Sequence, residues 1–135
     1  MDNPTREIKF RAVFKNDDGS KVVSANSFTI DELSSYDVQE WEFSDGTTLP
    51  FDDVEKGDLE YMQFTGLKDK NGKEIYEGDI VSNNNEIWDI YYVEGAWKMG
   101  FNGKRKDNDH FFLLEPQYSE VIGNIYENSE LLKGE

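Results

Sequence analysis

The chain has 135 residues and a mass of 15.7 kDa, which fits one ordinary domain or two small subdomains and excludes an α/β barrel of about 250 residues. Its 29 acidic and 14 basic residues give a formal net charge of −15, which opposes the phosphate backbone and argues against direct binding to nucleic acid. Cysteine is absent and His110 is the single histidine, so the chain lacks the residues for disulfides, thiolate metal sites and multi-imidazole zinc sites.

Strand signals dominate the first half of the chain. Apolar and polar residues alternate in Ile8–Phe14 and again in Lys21–Ile30, and the turn-forming residues Asn16–Gly19 lie between them. We therefore predict a β-hairpin over residues 8–30. Gln39–Phe43 predicts a further short strand, closed by a Ser-Asp-Gly turn.

The second half continues the same pattern. Tyr61–Thr65 predicts a strand, and the following Asn71-Gly72 pair is the strongest short-range signal for a hairpin turn. A last helical turn is predicted near Leu131. Further strands are predicted, separated by Gly- and Asn-containing turns, at Ile80–Val81, Ile87–Val93, Ala96–Phe101, Phe111–Leu114 and Val121–Tyr126.

Short strands at this spacing favour a mainly β fold with little helix, built as a small barrel or sandwich. We predict an acidic, β-rich N-terminal subdomain over residues 1–66 and a second subdomain over residues 67–135. The predicted core residues are Phe10, Ala12, Phe28, Phe64, Ile80, Trp88, Ile90, Phe112, Leu114, Ile122 and Ile125.

Three segments of the chain carry a family resemblance. Tyr61–Val81, Ile8–Ala12 and Val121–Asn128, the last followed by Glu130-Leu131-Leu132, resemble the motifs of the YopX family of bacteriophage and prophage proteins. The resemblance implies a mainly β or α+β fold whose C-terminal half is similar to an SH3-like barrel, in a phage-encoded protein of the bacterial cytoplasm. It supplies no catalytic residue.

The glycine-rich segment that contains Gly66, Gly72 and Gly78 also has three lysines, as a phosphate-binding loop would. The spacing lacks the GxxxxGK[ST] pattern, and no helix is predicted to follow it. We favour a structural interpretation, in which Gly72 forms the hairpin turn, Gly78 takes unusual backbone angles and Asp79 binds nearby amides.

A two-acid or magnesium-dependent hydrolase would need carboxylates that converge in the fold. The candidates in the sequence are Asp79, Asp89, Asp107 and Asp109. With so many acids some pairs approach by chance, and an acidic excess usually forms a solvated surface. A triad of His110 and Asp109 is disfavoured, because adjacent strand residues point to opposite faces. We therefore predict no catalytic residue, no cofactor and no metal site.

Acidic residues are concentrated in the segment Asp31–Glu60, which has eleven acids and one base. Interleaved aromatic rings make this composition suited to docking on a basic patch or to mimicking a nucleic-acid backbone. The alternative is a solvated acidic surface with the rings turned into the core. The predicted partner-binding face consists of Glu40, Trp41, Glu42, Asp52 and Asp53.

Basic residues are concentrated at a predicted hairpin tip that contains Lys98, Lys104, Arg105 and Lys106. Aromatic residues close to a basic loop are typical of contact with nucleic acid, but the net charge of −15 opposes that contact. Because a basic tip and an acidic face on one chain are complementary, we favour self-association into a homo-oligomer, or a merely solvated tip, over contact with nucleic acid.

Three functions remain open from the sequence. The first is a non-enzymatic phage accessory module that binds a host or phage protein. The second is an acidic nucleic-acid mimic that inhibits a host DNA-binding protein, and the third is a carboxylate- or metal-dependent hydrolase. No membrane-spanning run of about 20 apolar residues and no signal peptide are predicted, so the expected location is the cytoplasm of a bacterial host.

Overall fold

The computed structural model describes residues 8–16, 18–29, 40–50, 60–83, 85–93, 95–101 and 118–132. Within these ranges the chain forms strands and one short 3₁₀ helix, so the prediction of a mainly β fold is confirmed. The 3₁₀ helix lies at the predicted last turn. The elements are β1 Lys9–Lys15, β2 Lys21–Val23, β3 Phe28–Thr29, β4 Glu40–Glu42, β5 Thr48–Pro50, β6 Glu60–Lys68, β7 Glu74–Tyr76, β8 Asp79–Asn83, β9 Glu86–Val93, β10 Ala96–Phe101, β11 Glu120–Asn124 and the 3₁₀ helix Ser129–Leu132.

The first sheet has the strand order β2-β1-β6-β7, and β3 also pairs with β1. All its pairings are antiparallel, so the predicted hairpin over residues 8–30 is confirmed, with one interruption. Between β2 and β3 the Ser24 hydroxyl accepts a hydrogen bond from the Ala12 N–H at 3.0 Å. A side chain thus takes the place of a backbone carbonyl there, which divides the predicted second strand into two short ones.

The two faces of β1 pack against different cores because side chains alternate along a strand. Ala12 and Phe14 belong to a cluster with Phe28 and Trp41. Val13 lies on the opposite face, in a cluster that contains Val23, Met62, Phe64 and Tyr76. The sheet is therefore covered on both sides.

The β4–β5 hairpin covers the first of these faces. Asn26 fixes its position, since the Asn26 amide donates to the Glu40 carbonyl at 2.9 Å and accepts from the Glu42 N–H at 2.8 Å. The predicted strand and turn at this place are confirmed, and the return strand β5 was not predicted from the sequence. Trp41 and Leu49 form a register pair on the covered side.

The second sheet is a curled four-stranded antiparallel sheet with the order β10-β9-β8-β11. Its buried face carries Val81, Ile90, Trp97 and Met99, which pack with Ile75 of β7. The predicted strands are confirmed, and Met99 lies opposite Ile90 in the observed register. The predicted strand Phe111–Leu114 lies outside the described residues, and the closure of this sheet into an SH3-like barrel stays a prediction.

The two sheets are linked through β6 and β7. The predicted division between residues 66 and 67 falls inside β6, whose Phe64 packs in a core of the first sheet and whose Leu67 packs against the core of the second. One continuous strand thus contributes to both cores, and the division into two subdomains stays a prediction.

Most of the predicted core residues that the structure describes are buried or half-buried. Ile122 is the exception, at 37% exposed, and its prediction is wrong because a β-bulge between Val121 and Gly123 shifts the register of β11. Phe112 and Leu114 lie outside the described residues. The predicted core residues that are fully buried are Ala12, Phe28, Phe64, Ile80 and Ile90, and those that are half-buried are Phe10, Trp88 and Ile125.

Candidate functional site

The glycine-rich segment is a hairpin organised around the buried carboxylate of Asp69. Its Oδ1 accepts hydrogen bonds from the N–H groups of Asn71 and Lys73 at 2.8 and 2.9 Å. Its Oδ2 accepts from the Val121 N–H at 2.9 Å. Burial disfavours the ionised form, but these backbone hydrogen bonds outweigh it and hold the pKa of Asp69 below its usual value. The carboxylate therefore ties the Asn71-Gly72 turn to β11.

The entry into β8 follows the sequence interpretation. Gly78 has φ +88°, and its backbone bridges two elements, donating to the Ile90 carbonyl and accepting from the Ile125 N–H, both at 2.8 Å. Asp79 Oδ2 accepts from the Tyr76 N–H at 2.8 Å. Asp79 is 1% exposed, and burial raises its pKa to about 7.

The turn after β11 is held by side chains that bind its own backbone. Asn124 Oδ1 accepts from the Tyr126 and Glu127 N–H groups at 3.0 and 2.9 Å, and the Asn124 N–H donates to Asn128 Oδ1 at 3.1 Å. Glu127 extends the network to the first sheet, since its Oε2 accepts from the Val23 N–H at 3.0 Å. The turn thereby docks onto β2.

Gly123 makes room for this network. A Cβ at position 123 would lie 2.6 Å from Asn128 Oδ1 and 2.9 Å from Asn128 Cβ. We expect Gly123→Ala to lower the free energy of unfolding by about 1–3 kcal/mol, measured by chemical denaturation, because the clash displaces Asn128 from the Asn124 N–H.

A double-mutant cycle tests that cause. In an Asn128→Gly background, which removes all the atoms in the clash, adding Gly123→Ala should cost less than about 0.5 kcal/mol. An equal cost in both backgrounds would contradict the proposed steric origin.

Two hollows lie beside the first sheet, and Glu127 of the turn after β11 contributes to the lining of both. The polar cleft, of about 350 Å³, is lined by Arg11, Lys73, Asp79, Asn124, Glu127 and Asn128 among others. The Arg11 guanidinium lies over the Tyr76 ring, 4.3 Å from its centroid. The three segments that carried the family resemblance meet here, because each contributes residues to the lining.

The apolar groove, of about 510 Å³, lies between β2 and the β4–β5 hairpin. Phe14, Val22, Phe43 and Leu49 form its apolar walls, and polar side chains at its rim include Lys15, Asn16, Asp45, Thr48 and Glu127. Such a size and lining fit a bound side chain or a short peptide segment.

The residues of the predicted partner-binding face have different positions. Glu40 and Glu42 are exposed on β4, whereas Trp41 between them is fully buried and packs edge-on against Phe28 at a centroid distance of 4.6 Å. The Trp41 ring is therefore part of the core. The other two members, Asp52 and Asp53, lie outside the described residues.

Of the predicted basic tip, Lys98 is half-exposed on β10, opposite Tyr91. Lys104, Arg105 and Lys106 lie outside the described residues, as do His110, Asp107 and Asp109. Among the residues that the structure describes, no three acidic or histidine side chains are grouped to hold a metal ion. No helix in the same part of the chain is long and apolar enough to cross a membrane.

Sequence reasoning did not single out Asp69, Asn124, Glu127 or Arg11. Asp69 carries a local signal, because an Asp two residues before Asn-Gly is typical of an Asx-turn. Asn124 carries a similar signal, because asparagine also forms Asx-turns. Arg11 gives a weaker signal, as a charged residue on the same face of β1 as the buried Val13.

The chain is similar to known proteins in sequence and in fold. A family model described as YopX protein matches residues 9–133. The crystal structure of protein EF1440 from Enterococcus faecalis is similar with a TM-score of 0.50 and 24% identity, over 96% of this chain and 100% of that chain, which concerns the fold alone. No match is found among curated proteins.

Proposed function

We propose that this chain, which belongs to the YopX family, is a non-enzymatic protein-binding module that docks a partner segment in the apolar groove. The occupant we propose is a segment of another protein that carries an aliphatic or aromatic side chain flanked by lysine or arginine. The phage or prophage origin of the module and its cytoplasmic location are part of the proposal, and the family resemblance supports them.

The observation that carries the proposal is the open apolar wall of the groove. Val22, Phe43 and Leu49 are half-buried, so each keeps apolar surface in contact with solvent. Covering that surface would contribute about 25 cal/mol for each Å² of apolar area. The buried ring cluster around Trp41 supports the walls from behind, so the groove is preformed.

The charge of the molecule supports a basic partner. The chain has a net charge of −15, and Asp45 and Glu127 lie at the groove rim. Glu40 and Glu42 are exposed on the outer face of the same hairpin. Complementary charge around an apolar docking site accelerates association and selects partners by sign.

Peptide selection against the full chain tests the proposal. From an unbiased displayed library, we expect enrichment of peptides that place an apolar residue between basic residues, with a dissociation constant on the order of 1–100 μM. Leu49→Glu should weaken the selected peptide by about tenfold or more, because it introduces a charge into the apolar wall. Isothermal titration calorimetry measures both affinities, and retained circular dichroism shows that the variant is folded.

A charge-matched pair of variants separates docking from general attraction. Glu40→Lys/Glu42→Lys should weaken binding several-fold, whereas Glu86→Lys/Glu130→Lys, which changes the net charge equally at exposed positions elsewhere, should not. If the two charge-reversal variants weakened binding equally, or if Leu49→Glu had no effect, docking of the partner in the apolar groove would be contradicted. Competition by double-stranded DNA would instead favour nucleic-acid mimicry.

A further inference from the structure

The polar cleft contains a guanidinium group whose hydrogen-bonding capacity is not used within the described part of the chain. Arg11 projects from β1, and its Cζ atom lies 4.3 Å from the centre of the Tyr76 ring. Arg11 Nε is buried and has no hydrogen-bond partner there. Since a guanidinium has five N–H donors in a planar fork, the contact with the ring leaves the Nη donors available to bind a ligand.

The position of Arg11 is fixed by its neighbours. Tyr76, on which it stacks, is fully buried, and the Tyr76 hydroxyl donates to Glu74 Oε1 at 3.0 Å. The other oxygen of Glu74 accepts from Lys9 Nζ at 2.6 Å. Glu74 is thus already paired with Lys9. Among the described residues Arg11 forms no ion pair, although its charge favours the ionised forms of Glu74 and Asp79.

The rest of the cleft supplies further donors, and its two acidic groups are either buried or engaged in hydrogen bonds. Lys73 lines it, and Asn128 uses its Oδ1 for the Asn124 N–H, which leaves its NH₂ group as a donor. The Glu127 carboxylate is engaged on both oxygens, by the Val23 N–H and the Asn124 amide at 3.0 and 2.9 Å. Burial raises the pKa of Asp79 to about 7, so this carboxyl group carries only part of a negative charge at neutral pH.

We propose that the polar cleft binds the carboxylate group of a small organic acid, with Arg11 as its bidentate partner and Lys73 and Asn128 as additional donors. Arg–carboxylate pairs of this kind are planar and charge-assisted. Two acidic groups in the lining, Asp79 and Glu127, offset much of the charge of Arg11 and Lys73, which disfavours a doubly charged phosphate more than a singly charged carboxylate. The cleft volume of about 350 Å³ admits a ligand of a few carbon atoms.

Nuclear magnetic resonance of the full chain tests this site with the monocarboxylates acetate and propionate as probes. At constant ionic strength, both should shift the Arg11 Nε–H signal and the Gly123 amide along a saturable curve, with a dissociation constant on the order of 1–10 mM. Chloride at the same concentrations should produce no saturable shift. Inorganic phosphate should bind about tenfold more weakly or not at all.

Two variants of the cleft and one control variant test the roles of the side chains. Arg11→Lys should weaken carboxylate binding by about tenfold, because lysine cannot offer a planar fork, and Lys73→Gln should weaken it about threefold. Lys68→Gln, which removes an exposed charge outside the cleft, should leave it unchanged. If Arg11→Lys perturbs the fold, Lys73→Gln still tests the site, because Lys73 is exposed and its replacement should leave the fold intact.

Linear, non-saturable shifts would overturn the proposal, as would unchanged affinity in both cleft variants. Tighter binding of phosphate than of carboxylate would overturn the ligand class. The peptide experiments on the apolar groove do not depend on Arg11, so either proposal can fail without the other.

Discussion

Replacing Trp41 with alanine is expected to lower the free energy of unfolding by about 3–5 kcal/mol. The indole is fully buried and meets Phe14 and Phe28 edge-on at centroid distances of 5.5 and 4.6 Å. Its loss would open a cavity under the β4–β5 hairpin, where the apolar groove begins. Urea denaturation followed by far-UV circular dichroism measures the change, and a lower midpoint with an unchanged slope would show a loss of stability.

Two further variants test whether loss of the buried ring causes the loss of stability in Trp41→Ala. Trp41→Phe keeps a ring in the same position and should cost clearly less than the alanine variant. Tyr92→Ala removes an aromatic ring that is 49% exposed and should cost less than about 1.5 kcal/mol, which serves as the control for loss of a ring in general. A cost below about 1 kcal/mol for Trp41→Ala would contradict the placement of this ring in the core.

The Trp41 result also bears on partner binding. A weakened partner affinity in Trp41→Ala would report the collapse of the groove wall, since the buried ring cannot touch a partner directly. Glu40→Lys/Glu42→Lys changes only exposed side chains of the same strand. Binding lost in the second variant at unchanged stability would therefore assign the effect to the surface.

Local patterns in the sequence predicted much of the fold. Alternation placed β10 because its buried side chains Trp97 and Met99 lie on one face, and period-two alternation follows from that burial. It also placed β1 and β9 with small errors at their ends, although consecutive residues are buried in both strands. The Asn71-Gly72 pair predicted its turn for an equally local reason, since glycine tolerates the φ of +83° found at Gly72.

The candidate site depends on contacts that no local pattern contains. The Glu127 carboxylate accepts from the N–H of Val23, 104 residues away, and Asp69 accepts from Val121, 52 residues away. The stacking of Arg11 on Tyr76 likewise requires β1 and β7 to lie in one sheet with β6 between them. These are ordinary polar residues in the sequence, and only the packing of distant strands brings them into contact.

The Asp79 carboxyl should make stability fall as the pH rises from about 4 to about 7. Burial is the main cause of its raised pKa, which the Tyr76 N–H and the charges of Arg11 and Lys73 only partly offset. In the unfolded chain the proton leaves near the usual value of 3.8, whereas the folded chain retains it until about 7. Between these values the folded state binds more protons than the unfolded state, so the free energy of unfolding decreases with pH.

The magnitude follows from the interval between the two pKa values. At about 1.4 kcal/mol for each pH unit, the contribution of Asp79 falls by at most about 4 kcal/mol across that interval and is constant above it. Asp69 and Glu74 act in the opposite sense, because their pKa values are lowered. Their contribution is present above the usual carboxyl range and is lost as the pH falls through and below it.

Asp79→Asn isolates the contribution of this one group. Asparagine keeps an oxygen that can accept from the Tyr76 N–H but does not ionise, so the stability of this variant relative to the parent chain should increase steadily between pH 4 and pH 7. Asp18→Asn is the control, because Asp18 is fully exposed and its pKa is lowered, which places its titration below this range. Denaturation curves at several pH values measure the difference, and a stability gap between Asp79→Asn and the parent chain that does not change with pH would show that Asp79 is ionised throughout. In that case the polar cleft would carry a full second negative charge at neutral pH, and its affinity for a carboxylate would depend on Arg11 and Lys73 overcoming both acids.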